Sequence, residues 1–146
     1  MYDRFFGCRL LLMGSSAFRA KSLPQVVTDL IDTAIRDEMR IIVGEAMGAC
    51  RYFQDYLKNL NYRQVIVGYA NNIRYNAGNW RTLQYGNNLQ EREANMIDDC
   101  DSAIVIWVNK SGVIAANLRF LAKLEKPTFV YEYSIQTKYA KSGWLC

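Results

Sequence analysis

The chain has 146 residues, of which 51% are apolar, and it carries a formal net charge of +4. This length and apolar content predict one domain over residues 1–146 with a core of its own, and they exclude a disordered chain. The lack of histidine excludes Ser-His-Asp and Cys-His catalysis and imidazole metal sites, and the scattered basic residues disfavour nucleic acid as the main partner.

Short apolar runs alternate with helical patterns through the first half of the chain. The runs are continuous rather than alternating, and the first two, RLLLMG and RIIVG, end in glycine. In the first helical pattern, Ser22 is a natural N-cap and Pro24 stands in the first turn. The predicted elements are a strand over 8–14, a helix over 22–38, a strand over 40–44, a helix over 46–60 and a strand over 64–69.

The second half resumes this alternation after a long loop. The loop covers 69–82, extends to residue 88, and shows neither helical nor strand periodicity. The elements after it are a helix over 89–100, a strand over 102–108, a helix that opens after Gly112 within 111–125, and a strand over 126–133. The tail over 134–146 gives no clear prediction, because Tyr139 and Trp144 could contact a partner or belong to a frayed end.

The alternation predicts the fold class. Single helices between strands indicate crossover connections and therefore a parallel sheet. Continuous apolar strands indicate a sheet that is covered on both faces. We expect an α/β fold, a Rossmann-like three-layer sandwich with a mostly parallel sheet of about five strands, whose order does not follow from one sequence.

The loops after the strands form the candidate site, since ligands of open parallel sheets bind outside the carboxyl ends of the strands. Two of these loops could present N–H groups and hydroxyls to a phosphate, and the second also precedes a helix N-terminus. The alternative is that their glycines and serines only make turns and caps. The candidate binding residues in these two loops are Gly14, Ser15, Ser16, Lys110, Ser111 and Gly112.

A third loop holds a carboxylate at the edge of the sheet. Gly44 and Gly48 flank Glu45 at a strand-to-helix turn. A carboxylate in that place could bind ribose hydroxyls or act as an acid or base. The alternative is that Glu45 is a solvated charge at the start of a helix.

The stretch RYNAGNW, residues 74–80, interrupts the pattern with hydrogen-bond donors and a tryptophan. Arg74 could pair with a phosphate in a forked geometry, and Asn76 could hydrogen-bond a base or ribose. Gly78 would allow close backbone approach, and Trp80 could stack on a base. The alternative is that Trp80 anchors the loop on the core while Arg74 lies in solvent. Long loops in compact domains are usually functional, which favours the ligand site.

An ordered set of short motifs covers residues 9 to 134. The set consists of Gly14-Ser15, Gly44-Glu45-Ala46, Gly48-Ala49, Arg74, Asn76, Gly78, Trp80, Arg92, Met96, Ile106-Trp107, Lys110-Ser111-Gly112, Lys126-Pro127 and Val130-Tyr131-Glu132. In this order the motifs resemble the SLOG superfamily of DprA-like and LOG-like nucleotide-binding proteins, in particular its small stand-alone YspA-related members. The resemblance implies a nucleotide site that includes the 74–80 loop and Arg92, and it implies homodimers or larger assemblies.

The chain departs from the family's pattern where catalysis is concerned. Ser16 replaces an arginine, for which Arg19 could substitute, and Cys50 replaces a carboxylate. The P-G-G-x-G-T-x-x-E motif of the phosphoribohydrolases is missing, and Asn117 is the polar residue nearest to the place of its catalytic glutamate. A hydrolase would need another carboxylate to activate water. The candidates for it are Glu45, Glu91 and Glu132.

Three functions are compatible with these residues. The favoured one is a module that binds a nucleotide or NAD-derived small molecule without catalysis, as a sensor or as a sponge for a signalling nucleotide in phage anti-defence. In a chain this short we expect no fused effector domain, which favours the sponge. The second is an N-glycosidic hydrolase or transferase, LOG-like or deoxyribosyltransferase-like, with Glu45 as the catalytic residue. The third, binding of single-stranded DNA as in DprA, is disfavoured by the scattered basic residues.

The cysteines and the first residues indicate the cellular setting. The four cysteines are far apart and form no CxxC motif, which argues against zinc. The chain shows no secretory signal and no apolar run of membrane-spanning length, so we expect free thiols in a reducing cytoplasm. We also expect no metal, no cofactor and no membrane contact. The many aromatic residues leave apolar surface to spare, which favours a homodimer or a higher homo-oligomer.

Overall fold

The computed structural model describes residue 5 and residues 7–145, and these form seven strands and four helices. In chain order the elements are β1 (Arg9–Gly14), α1 (Gln25–Arg36), β2 (Arg40–Gly44), α2 (Ala49–Asn59), β3 (Val65–Tyr69), β4 (Arg81–Gln84), α3 (Leu89–Asp99), β5 (Ser102–Val108), α4 (Gly112–Lys123), β6 (Thr128–Ser134) and β7 (Tyr139–Trp144). Among these residues, no helix has both the length and the apolar character needed to span a bilayer.

The seven strands form one sheet in the order β4-β3-β2-β1-β5-β6-β7. Each neighbouring pair is parallel except β6 and β7, which form an antiparallel hairpin. The chain winds outward from β1 to β4 and then returns to β5 on the other side of β1. The direction of winding therefore switches between β1 and β5, and a crevice is expected at the carboxyl ends of these strands.

Helices cover both faces of the sheet. On β1, Leu10 and Leu12 pack in one cluster with α1 and α2, whereas Leu11 and Met13 pack in the other with α3 and α4. All four side chains are at most 3% exposed. A strand buried on both faces needs an apolar residue at every position, which explains why its sequence does not alternate. The architecture is thus α/β with a mostly parallel sheet, as predicted, and it is consistent with a Rossmann-like arrangement.

The prediction of about five strands is wrong, because the sheet has seven. The sequence analysis placed β4 inside a loop and gave no prediction for β7. Both strands lie at edges of the sheet and are largely exposed. An exposed edge strand needs no apolar run, so hydrophobic periodicity does not reveal it. β4 also follows β3 without a helix between them, which breaks the expected alternation.

Two helices begin later than the sequence indicated. The first begins at Gln25, and its N-cap is Pro24 in an extended conformation, so the prediction of Ser22 as N-cap is wrong. The second begins at Ala49 because Gly48 takes a φ of +82°, which lies outside the helical region. Residues 45–48 therefore form a loop at the carboxyl edge of the sheet.

Candidate functional site

A pocket of about 340 Å³ lies outside the carboxyl ends of β1, β2 and β5, where the winding switches direction. We call it the strand-end pocket. Its volume falls within the range of roughly 300–1,000 Å³ that small-molecule sites span. The lining residues are Met13, Gly14, Ser15, Ser16, Gly44, Ala46, Met47, Cys50, Arg74, Leu89, Arg92, Glu93, Met96, Ser111, Val113 and Ile114.

Close backbone packing forms the floor of the pocket. A Cβ on Gly14 would lie 2.7 Å from both the Cβ of Ala49 and the carbonyl oxygen of Ile106. Ser15 donates its N–H to that same oxygen (2.9 Å), and its Oγ accepts the N–H of Val108 (2.9 Å). These contacts hold the loop after β1 against the end of β5. Gly14 and Ser15 therefore shape the pocket, and the Ser15 hydroxyl is already engaged.

Glu45 joins two arginines beside the pocket. Its carboxylate is 2% exposed and accepts hydrogen bonds from Arg74 Nε (2.6 Å), Arg74 Nη2 (3.0 Å) and Arg92 Nη1 (2.5 Å). The side chain of Arg92 is 5% exposed, whereas that of Arg74 is 55% exposed. This burial contradicts the alternative interpretation of Glu45 as a solvated charge. A carboxylate this deeply buried needs such charged partners.

Arg92 has one donor that is not used by the protein. Its Nε is buried and, among the described residues, has no hydrogen-bond partner. A buried donor without an acceptor costs roughly 1–3 kcal/mol, and more when the group is charged. Arg92 lines the pocket, and a guanidinium group with an unused donor suits the oxygen atoms of an anionic ligand.

The N-terminus of α4 meets the same pocket through Ser111, Val113 and Ile114. Ser111 is the N-cap, and its side chain makes no capping hydrogen bond. The first N–H groups of a helix have no acceptor within the helix, and the helix dipole favours an anion beside them. Trp107 Nε1 donates to the Ser111 carbonyl oxygen (2.9 Å), which holds the start of the helix in place. Gly112, another predicted site residue, is the first residue of α4.

Glu93 lines the pocket, although the sequence analysis did not consider it. Its Oε1 accepts a hydrogen bond from Asn117 Nδ2 (3.3 Å). Burial raises the pKa of Glu93, and this shift is opposed by the charge of Arg92 and by the hydrogen bond from Asn117. Its position in the sequence could have indicated this role, because Glu93 lies between Arg92 and Met96 on one helix. Both of these residues belong to the motifs that resemble the SLOG pattern.

Cys50 is an apolar part of the wall rather than a nucleophile. Burial raises the pKa of its thiol to about 11, and the charge of Glu93 adds to the shift. The thiol is therefore protonated at neutral pH, and a protonated thiol is a poor nucleophile.

The loop over residues 70–80 connects β3 to β4, and Trp80 anchors it to the core. Asn76 accepts the N–H of Trp80 (3.0 Å) and donates to the Trp80 carbonyl oxygen (2.9 Å). Trp80 Nε1 donates to the Tyr62 carbonyl oxygen (2.8 Å), and its ring packs against the core. In the described lining of the strand-end pocket, Arg74 represents this loop, and neither Asn76 nor Trp80 takes part. In the structure, Asn76 and the indole N–H of Trp80 make contacts that fix the loop, and the indole packs on the core.

Five further predicted residues lie outside the described lining of the pocket, whereas Ser16 belongs to it. Glu45 and Gly112, described above, are two of them, and the others are Arg19, Gly48 and Lys110. Arg19 turns back on its own loop and donates to the carbonyl oxygens of Ser16 (2.8 Å) and Phe18 (2.7 Å). Gly48 allows a close approach, since a Cβ there would lie 2.4 Å from the Ser16 carbonyl oxygen. Lys110 is exposed and lines a different cavity, beside β6.

Three apolar side chains surround the mouth of the pocket. Met47, Leu89 and Val113 are 51%, 53% and 57% exposed and all belong to the lining. The pocket thus combines a few polar side chains, such as Arg92, with apolar side chains in its interior and at its rim. This arrangement fits a ligand that has a charged part and a flat apolar part.

The described residues contain no candidate metal site, because no three Cys, Asp or Glu side chains among them are placed to hold an ion.

Comparisons of the chain with family models, with curated proteins and with solved structures find no match. The function is therefore argued from the geometry of the strand-end pocket.

Proposed function

We propose that this chain binds a nucleotide or a NAD-derived small molecule in the strand-end pocket and holds it without catalysis. The observation that carries the proposal is the buried Nε of Arg92, a donor without a partner among the described residues. Arg92 lines the pocket together with the uncapped N-terminus of α4. Both groups favour the oxygen atoms of a phosphate.

The charges around the pocket also favour an anion. Arg74 and Arg92 share the carboxylate of Glu45, which leaves one positive charge in excess in this cluster. Glu93 is the carboxyl group in the described lining, and burial already raises its pKa. An anionic ligand beside Glu93 would favour its protonated, neutral form still further.

A nucleotide matches the division of the pocket into polar and apolar parts. Its phosphate would lie against Arg92 and the N-terminus of α4, and its base would lie against Met47, Leu89 and Val113. The resemblance of the ordered motifs to SLOG proteins supports the same class of ligand.

Binding without cleavage follows from the contacts of Glu45. Its carboxylate is 2% exposed, and both of its oxygens already accept hydrogen bonds from two guanidinium groups, so it offers little access to a water molecule. We therefore propose a sensor or a sponge of a signalling nucleotide, with phage anti-defence as its setting. It would act in a reducing cytoplasm, as a homodimer or a larger homo-oligomer.

The test is to capture the ligand and to identify it. Purified protein is mixed with mononucleotides, NAD, ADP-ribose forms and cyclic nucleotides, freed of unbound material, and heated, and the released compound is identified by mass spectrometry. Val113→Glu puts a carboxylate at the pocket's mouth, and Val26→Glu makes the same change on an exposed position of α1. We expect an intact ligand from the wild type and from Val26→Glu, and at least a tenfold loss in Val113→Glu. Recovery of no ligand from the wild type would contradict the proposal.

An N-glycosidic hydrolase or transferase is the second candidate, and Glu93 is the observation that favours it. A buried carboxyl with a raised pKa in a ligand pocket has the properties of a general acid. Free base and ribose phosphate in the same assay would support this candidate. In that case Glu93→Gln should abolish turnover and retain binding. Loss of turnover in Glu45→Gln alone would favour the carboxylate that the sequence indicated.

A further inference from the structure

A second cavity lies at the amino ends of the parallel strands, whereas the strand-end pocket lies at their carboxyl ends. It has a volume of about 480 Å³ and is formed by residues 58–63, which precede β3, and by residues 77–81, which lead into β4. Both segments therefore stand at the amino ends of parallel strands. We call this cavity the basic cleft, after the side chains of Lys58, Arg63 and Arg81 that line it.

The basic cleft carries positive charges that form no ion pair within the described part of the protein. Its described lining contains Lys58, Arg63 and Arg81 and neither aspartate nor glutamate. In that part of the chain the ion pairs involve Arg9, Arg74, Arg92 and Lys141, and none involves a cation of the cleft. Like charges around one cavity raise its potential and attract anions.

Hydrogen bonds tie the two walls of the cleft together. Trp80 Nε1 on one wall donates to the Tyr62 carbonyl oxygen on the other (2.8 Å). Asn76 holds the backbone of Trp80 through both its N–H and its carbonyl oxygen. A cavity whose walls are already fixed loses little freedom when a ligand binds.

The nearby end of α2 does not oppose an anion as strongly as a free helix terminus would. Its last carbonyl groups could present partial negative charge to the cleft. However, Asn61 N–H donates to the Lys58 carbonyl oxygen (2.9 Å), and Tyr62 N–H donates to that of Leu57 (3.1 Å). These carbonyl groups are therefore already paired.

We propose that the basic cleft is a second anion site, separate from the strand-end pocket, and that it takes a small phosphate-rich compound. Two arginines offer forked donors that match phosphate oxygens, and a lysine adds a compact charge. Three cations around one cavity call for an anion with several negative charges. The inference does not depend on the ligand of the strand-end pocket, because the two sites share no lining residue.

The test is calorimetric titration with inorganic tripolyphosphate at low ionic strength. The first variant combines Lys58→Gln, Arg63→Gln and Arg81→Gln. The control combines Lys21→Gln, Arg119→Gln and Lys123→Gln, which removes the same charge from exposed positions elsewhere. We expect the cleft variant to lose roughly tenfold or more in affinity, and the control and Val113→Glu to change it by less than about threefold. Added salt should weaken binding to the wild type.

Two results would overturn the proposal: no saturable binding of tripolyphosphate to the wild type, or equal losses in the cleft variant and the control. A competing single-stranded oligothymidylate separates the sources of phosphate. If it fails to displace tripolyphosphate, the compound is small, as proposed. If it displaces tripolyphosphate from the wild type, the cleft still binds phosphate, but a small compound as its natural ligand is overturned.

Discussion

Glu45 pairs with two arginines, and one of them, Arg92, is buried with it. We expect Glu45→Gln to lower the free energy of unfolding by about 3–5 kcal/mol, because Arg92 would stay buried with an unpaired charge. Denaturant unfolding measures the change. Asp98→Asn, the same kind of substitution on an exposed residue of α3, should alter stability by less than about 0.5 kcal/mol. A loss in Glu45→Gln as small as in this control would mean that the pair does not hold the site together.

Glu93 should make stability depend on pH. Burial raises its pKa in the folded protein, so the folded state binds this proton more tightly than the unfolded state does. The charged form of Glu93 therefore lowers stability at neutral pH, and the free energy of unfolding should rise as the pH falls through the raised pKa. The rise should end near the ordinary glutamate pKa of about 4.3. We expect Glu93→Gln to be more stable than the wild type at pH 7 and to lack this rise.

Unfolding curves at several pH values would check this expectation. Asp98→Asn again supplies the control, since its side chain is exposed on the same helix. A Glu93→Gln protein with the same pH profile as the wild type would place the titration elsewhere.

Individual site residues differed in how well the sequence predicted them. Arg74, Arg92 and Ser111 reach the pocket because the predicted loops and helix do lie at the carboxyl ends of the strands. Glu93 was missed because its burial depends on α4, which packs beside it from a distant part of the sequence. Trp80 was predicted to stack on a ligand, whereas its indole N–H donates to the carbonyl oxygen of Tyr62. A hydrogen bond between two loops that are distant in sequence leaves no local sequence pattern.

At the scale of elements, the crossover from β3 to β4 depends on one side chain of α2. Gln54 is fully buried, donates to the carbonyl oxygens of Gly44 (2.8 Å) and Tyr75 (3.1 Å), and accepts the N–H of Ala77 (2.9 Å). We expect Gln54→Leu to cost about 3 kcal/mol, because it leaves these backbone groups without partners. It should also speed hydrogen exchange of the loop amides over 71–79.

Gln90→Leu is the matched control, since Gln90 is exposed in the first turn of α3. Hydrogen exchange followed by mass spectrometry would compare the two variants. Unchanged exchange over 71–79 in Gln54→Leu would show that other contacts are sufficient to hold the crossover.

Buried elements were predictable and exposed ones were not. The strands that the helices cover, such as β1 and β5, read as apolar runs, since water is excluded from both of their faces. β4 and β7 are positioned by hydrogen bonds to a neighbouring strand. These hydrogen bonds join backbone N–H and C=O groups, which do not depend on the side chain, so they leave no pattern in the sequence. The pattern of apolar side chains therefore does not predict either of the two edge strands.

On the scale of the whole molecule, the two proposed sites lie at opposite edges of one rigid sheet. Neither shares a residue with the other, so we expect their ligands to bind independently. Titration of tripolyphosphate in the presence of a saturating nucleotide should give the same affinity as in its absence. A change of more than about fivefold would indicate coupling between the sites.

The place of β5 beside the central strand β1 has a consequence for the synthesis of the chain. β5 pairs with β1, Leu10 beside Ser102, so strands from distant parts of the sequence must meet before the sheet is continuous. Such non-local pairing slows folding, and a growing chain emerges from its amino end. The strand-end pocket needs β1, β5 and the start of α4 together. A nascent chain that stops before β5 therefore has no complete pocket, and only a chain that extends past the start of α4 can be stabilised by its ligand.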